Sequence, residues 1–120
     1  MARGGFTYTP KRTRDAESEI AFQAKQEWVG DPLSGAVSII ATFNVRIPKS
    51  WPKKKKERLR GRFCVQKRGD LDNYVKLLAD ALNGIIWEDD SQIVEIFAAK
   101  VWSDEGSILL KVQEVDNFDE

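Results

Sequence analysis

The feature that most constrains this chain is a basic segment in its middle. Residues 46–68 carry eleven Lys and Arg side chains and a single acid, Glu57. Because charged residues are almost never fully buried unless they are paired, the cations of this segment are expected at the surface. Residues 69–120 carry thirteen acids and three bases, so a net charge of zero conceals a basic segment beside an acidic one. A protein that binds phosphate and also holds a hard cation has a use for both.

Length and composition restrict the class of protein. The 120 residues, of which 42% are hydrophobic, suit one folded domain. No apolar run is long enough for a membrane span, and residues 1–5 lack the apolar stretch of a signal peptide. The single cysteine, Cys64, allows no intrachain disulfide, which fits a reducing cytoplasm. The lack of histidine excludes a histidine base or metal ligand, and one cysteine excludes a zinc cluster within the chain.

The spacing of the apolar residues predicts both helices and strands, and we expect a single α/β (α+β) domain with a small mixed sheet and two main helices. Apolar residues four apart indicate helices, and alternation of apolar and polar residues indicates strands. Turn residues at 103–106 separate the last two strands and predict a hairpin there. The predicted helices run from Thr9-Pro10 to about residue 30, over residues 53–60 and over residues 71–82; the predicted strands cover residues 37–45, 93–102 and 107–115.

The first group of candidate chemical residues lies at the start of the helix predicted over residues 71–82. Asp70 precedes this helix, and Asp72 and Lys76 share one of its faces because they are four residues apart. The alternative is a purely structural role, in which the helix dipole stabilises the two carboxylates. On that interpretation Asp72 and Lys76 form an exposed ion pair contributing under about 1 kcal/mol. These residues alone therefore allow both a functional and a structural interpretation.

The second group is the acidic triplet Glu88-Asp89-Asp90, which lies between an apolar segment and a predicted strand. Such a triplet is usually a solvated turn, but this position can direct one carboxylate inward. If the turn and the helix start converge, Asp70, Asp72 and Asp90 form a cluster whose mutual repulsion requires a cation. Carboxylate oxygens suit magnesium or manganese. Either metal can activate water and neutralise a phosphate during an in-line displacement.

The third group is the basic segment itself, which we interpret as a surface for the phosphates of DNA. The alternative is a solvated charge run, which four adjacent lysines alone would favour. Trp51 and Phe63 are interleaved with the cations, and they either stack on an unpaired base or anchor the segment to the core. The candidate DNA-binding residues are Lys53, Lys54, Lys55, Lys56, Arg58, Arg60, Arg62, Lys67 and Arg68.

The order and spacing of three blocks resemble the signature of the RusA-type Holliday junction resolvases. The blocks are GDLDNYVK at residues 69–76, DALNGI at residues 80–85 and EDDSQI at residues 88–93. No single block would suffice, and their ordered spacing makes the resemblance specific. The similarity extends backward through residues 47–51 and residues 7–11, so it covers most of the chain.

The resemblance implies a compact α/β fold, a homodimer and magnesium-dependent paired nicking of four-way DNA junctions, with manganese as a substitute metal. Matched by position, it implies catalytic and metal-binding roles for Asp70, Asp72 and Asp90. It also implies an essential role for Lys76, with Asp89 as a weaker metal ligand. Similar members often begin with an extra strand, where this chain has only residues 1–5 before Phe6. That difference leaves two interpretations, a shortened start and a minimal version of the fold.

The implied reaction also predicts an assembly and a partner. Paired cuts on a two-fold junction need two active sites related by symmetry. The run over residues 93–102 offers Phe97, Val101 and Trp102 beyond what so small a core requires, so we expect a strand-mediated homodimer bound to branched DNA and no membrane. Alternatives are a fork or flap endonuclease of the same family, a non-catalytic DNA-binding module, and a relative that has lost its nuclease. The last two leave the matched aspartates and lysine unexplained.

Overall fold

The computed structural model describes the backbone of residues 3–8 and all atoms of residues 16–66 and 69–115. These residues form a mixed four-stranded sheet with three α-helices, which confirms the predicted α+β class. A short helix is present in the basic segment, as the sequence indicated. The strands are β1 (Arg3–Tyr8), β2 (Ala36–Arg46), β3 (Ile93–Ser103) and β4 (Ser107–Val115), and the helices are α1 (Ala16–Glu27), α2 (Lys53–Leu59) and α3 (Leu71–Ala81).

The strand order in the sheet is β1-β4-β2-β3, with β2 parallel to β3 and antiparallel to β4. The predicted hairpin between the last two strands is therefore wrong, because β2 lies between them. Arg46 at the end of β2 is in register with Ser103, and Asn44 is in register with Ser107. The connection over residues 104–106 thus passes around the end of β2. Turn residues indicate that the chain reverses, but they do not identify the strand's neighbour.

The N-terminal residues supply an edge strand. β1 pairs antiparallel with β4, from Arg3 opposite Gln113 to Tyr8 opposite Ile108. The sheet therefore includes an N-terminal strand, at the end of the chain where the family resemblance left open whether the sheet is complete. The predicted helix start at Thr9-Pro10 lies outside the described residues, as does the acidic tail over residues 116–120.

The main core lies between one face of the sheet and the helices α1 and α3. Alternate residues of β2 point into it and are buried, as the two-residue period of a strand requires. Ile20 of α1 and Leu78 of α3 are fully buried against them. The other sheet face carries exposed apolar side chains, because no described helix covers it. The buried β2 residues are Val37, Ile39, Ala41 and Phe43, and the exposed ones on the open face include Ile40, Phe97 and Leu109.

A second, smaller cluster anchors the basic segment to the end of β3. Ile47, Cys64 and Trp102 are buried in it, and Trp51 packs edge-to-face on Trp102 with 4.8 Å between ring centroids. Trp102 is only 8% exposed, so the expectation that it contributes to a dimer surface is wrong. Burial also raises the pKa of the Cys64 thiol.

None of the helices in the described parts of the chain combines the length and the apolar character that crossing a bilayer requires.

Candidate functional site

The start of α3 is held in place by two contacts on Gly69. The backbone of Gly69 has φ +75°, which strains any other residue, and a Cβ at this position would also displace the hydroxyl of Tyr74. The ammonium Nζ of Lys100, on β3, donates a hydrogen bond of 3.1 Å to the Gly69 carbonyl oxygen. Tyr74 in turn packs on Phe43 of the core, with 5.3 Å between ring centroids. The residue that follows Gly69, Asp70, is therefore fixed relative to the sheet.

Both carboxylates at this helix start are exposed and available. Asp70 occupies the N-cap position with an extended backbone, but its side chain makes no capping hydrogen bond. Asp72 lies exposed in the first turn, where the helix dipole favours negative charge. No ion pair joins Asp72 to Lys76 among the residues that the structure describes. The surface salt bridge that would give these residues a purely structural role is thus not observed.

In the acidic turn before β3, the side chains of Asp89 and Asp90 differ in their contacts. Asp89 caps the 3₁₀ turn Asp90–Gln92, and its carboxylate accepts a hydrogen bond of 3.0 Å from the Ser91 backbone N–H. A hydrogen bond from the Ser91 side chain, and secondly the one from its backbone N–H, lower the pKa of the Asp89 carboxyl. Asp90 is exposed and makes no hydrogen bond or ion pair with another described side chain. Asp89 therefore has a structural role that Asp90 lacks.

Gln92 positions this turn, and the sequence reasoning missed it. Its amide Nε2 donates to the carbonyl oxygens of Leu33 and Gly35, at 2.8 and 2.9 Å, and its Oε1 accepts from the Asp89 N–H at 2.7 Å. The signal was available, because an Asp followed three residues later by Gln has the spacing of a capping box. The turn is thereby tied to the chain that leads into β2.

Within one chain, the structure does not bring Asp90 together with Asp70 and Asp72. Lys100, which binds the residue before Asp70, lies near the end of β3, whereas Asp90 precedes its first residue, Ile93. A strand rises about 3.3 Å per residue, so Ile93 and Lys100 are roughly 23 Å apart. Accordingly, no group of three or more Cys, Asp or Glu side chains in the described ranges can hold one metal ion.

The lysines of α2 are not equivalent. Lys53 and Lys54 are exposed, whereas the Lys55 ammonium lies 4.1 Å from the centroid of the Trp51 ring. Lys56 is half-buried and lines a cavity. Trp51 therefore anchors α2, and it is not free to stack on a base.

The remaining cations of the basic segment also differ. Arg58 and Arg62 are exposed, and the Arg60 Nε is 3.0 Å from the Asp104 Oδ1. Phe63 is 79% exposed beside them, so it is the accessible aromatic side chain of this surface. The other two candidate cations, Lys67 and Arg68, lie outside the described residues.

Lys100 is a second residue that sequence reasoning missed. It sits in an apolar, strand-like run and belongs to none of the candidate groups, so spacing gives it no distinguishing signal. Only the parallel register of β3 beside β2, with Lys100 opposite Phe43, puts its side chain on the face that meets the start of α3.

Two comparisons relate the chain to known proteins. The model of the endodeoxyribonuclease RusA family matches residues 1–113. An uncharacterised Bacillus subtilis (strain 168) protein, YqaN, is 34% identical over 109 residues, which cover 88% of this chain and 77% of that protein. The matched range of the family model includes Asp70, Asp72, Asp90, Lys76 and Lys100.

Replacing Gln92 with alanine should loosen the acidic turn. The substitution removes three hydrogen bonds, each contributing about 0.5–1.5 kcal/mol, so we expect the free energy of unfolding to fall by about 2–4 kcal/mol. Urea titration followed by circular dichroism measures this change. Gln26→Ala is the matched control, because Gln26 is an exposed glutamine of α1 whose side chain makes no hydrogen bond with a described residue. Equal stabilities for the two variants would contradict the positioning role of Gln92.

Proposed function

This chain belongs to the RusA endodeoxyribonuclease family, and on that premise we propose that it is a magnesium-dependent nuclease that resolves four-way DNA junctions in recombination and repair. The observation that carries the proposal is the pair of exposed carboxylates, Asp70 and Asp72, on a helix start that Lys100 and Gly69 hold in place. Lys76 lies one turn further along the same helix face. Neither carboxylate makes a capping hydrogen bond or an ion pair with a described residue.

The donor chemistry of these residues fits magnesium, which prefers carboxylate oxygens and retains several waters. When bound, such a metal supplies an activated water and neutralises charge on the phosphate. Asp70 and Asp72 would hold the metal and orient it relative to α3, and Lys76 would face the negative charge that develops on the phosphate. Manganese has the same ligand preference and would substitute.

A third carboxylate, Asp90, would come from a second protomer. Between residues 93 and 99, β3 pairs only with β2 in the described chain, so its other edge presents unpaired backbone groups. Val94 and Ile96 are 64% and 44% exposed there. Antiparallel pairing of two β3 strands about a two-fold axis sets the start of each strand beside the end of the other. Asp90 of one protomer would then lie beside the α3 start of the second.

This arrangement supports paired cleavage. A two-fold dimer has two equivalent composite sites, and a four-way junction offers two strands related by a similar axis. The exposed cations of the basic segment would hold the duplex arms by their phosphates. Phe63 would be available to a base exposed at the branch point.

The shared site predicts complementation between two inactive variants, Asp70→Asn and Asp90→Asn. After mixing in equal amounts and exchange of protomers, half of the dimers contain both variants. Each mixed dimer has one site with Asp70, Asp72 and Asp90 all intact. Strand nicking of a four-way junction in magnesium should therefore return to about a quarter of the wild-type rate. Because only one site per dimer is active, nicked junctions should accumulate without paired cuts.

The matched control for complementation is an equal mixture of Asp70→Asn and Asp72→Asn. Both lesions then lie in the α3 half of the site, so no intact combination forms and the mixture should stay inactive. Native mass spectrometry shows whether mixed dimers have formed. Mixed Asp70→Asn and Asp90→Asn dimers that remain as inactive as this control would contradict the shared site.

The charge of Lys76 should act on rate more than on binding. A cation directed at the phosphate is most effective in the transition state, so Lys76→Ala should bind junctions normally in calcium yet cut about a hundredfold or more slowly in magnesium. Lys76→Arg keeps the charge without the compact geometry and should rescue poorly. Lys25→Ala, an exposed lysine of α1, is the control. A wild-type cleavage rate in Lys76→Ala would refute this role.

A further inference from the structure

A small basic cavity lies where the end of β2, the following turn and α2 meet. Its volume is about 180 Å³, and its lining includes Arg46, Lys49, Lys56 and Asp104. Water in the liquid occupies about 30 Å³ per molecule, so this cavity has room for a tetrahedral phosphate group. Arg46 and Lys49 come from the end of β2 and the turn that follows it, Lys56 comes from α2, and Ile47 of the second core cluster forms the apolar wall.

The charges of this cavity are not balanced from within the protein. The side chains of Arg46, Lys49 and Lys56 make no hydrogen bond or ion pair with any described residue. The one acid, Asp104, is already paired with Arg60 at 3.0 Å. Lys56 is half-buried, whereas Arg46 and Lys49 are exposed, so solvent and salt screen part of their mutual repulsion and a bound anion would offset the rest. A cavity lined by three cationic donors favours a phosphate, which accepts charge-assisted hydrogen bonds.

We propose that this cavity binds one phosphodiester group of the DNA strand near the cut site. The location supports it, because Arg46 is in register with Ser103, three residues beyond Lys100 on β3. Three residues of strand span about 10 Å, and Lys100 holds the backbone just before Asp70. A strand whose scissile phosphate lies at Asp70 would reach the cavity within a few nucleotides. The proposal rests on the proposed nuclease function for its ligand.

The lysines of α2 provide a matched comparison, because Lys54 and Lys56 are two residues apart on one short helix and only Lys56 lines the cavity. A pocket that makes charge-assisted hydrogen bonds predicts that Lys56→Ala lowers junction affinity about tenfold or more in calcium and 0.15 M salt. Lys54→Ala should lower it only about two- to threefold, as a general phosphate contact does. Arg46→Ala and Lys49→Ala should behave like Lys56→Ala. Melting curves show whether each variant is folded.

A second series locates the phosphate. Junctions that carry a single uncharged methylphosphonate, moved one position at a time along the cut strand, are titrated with each protein. At one position a few nucleotides from the cut, the methylphosphonate should weaken DNA binding by the wild type and by Lys54→Ala. It should leave binding by Lys56→Ala unchanged, because that substitution has already removed the contact that the methylphosphonate removes. If Lys56→Ala and Lys54→Ala respond alike at every position, the cavity is not a phosphate site.

A third measurement separates this proposal from the nuclease function. Sodium phosphate, compared with chloride at equal ionic strength, should raise the melting temperature of the wild type and Lys54→Ala but not of Lys56→Ala. An equal shift in all three proteins would overturn the cavity assignment. If the wild type neither binds nor cuts junctions, the proposed function fails, while the phosphate-dependent melting still decides whether the cavity takes a phosphate group.

Discussion

The parallel pairing of β2 with β3 is the constraint on which the other features depend. Parallel neighbours require a crossover connection, and here that connection contains the basic segment, α3 and the acidic turn. Because α3 returns from the end of β3 towards its start, Asp70 and Asp90 lie at opposite ends of the strand. Their separation within one chain is therefore a consequence of topology. A second protomer is the simplest way to bring an Asp90 beside Asp70.

The segregation of charge follows the same connection. The basic segment leaves the end of β2 and is anchored by a few apolar side chains, chiefly Trp51 on Trp102, with backbone hydrogen bonds from residues 61–64 to the end of β3. A small apolar cluster thus holds a strongly cationic surface at the end of the sheet where α3 begins. The cations and the first two carboxylates meet at this end, which suits a substrate that carries many phosphates and is cut at one of them.

Local patterns in the sequence predicted most elements of the fold, because apolar periodicity is a local property. They could not predict the strand order, since the turn after β3 would look the same whether β4 paired with β3 or passed beyond β2. The same limit applied to the site. Residues close in sequence, such as Asp70 and Asp72, were placed correctly at the start of α3, but the position of Asp90 relative to them depends on distant parts of the chain. Lys100 and Gln92 act through tertiary hydrogen bonds, so Lys100 had no local signal and Gln92 had only a capping-box spacing.

The central claim is that the acidic start of α3 serves metal-dependent cleavage of branched DNA. Its most direct test is to incubate the purified protein with a labelled four-way junction and a linear duplex of the same sequence, in magnesium and in excess chelator. We expect symmetrically paired cuts in the junction with magnesium, an intact duplex, and no cleavage in chelator. Equal cleavage of the linear duplex, or full activity in chelator, would contradict the account.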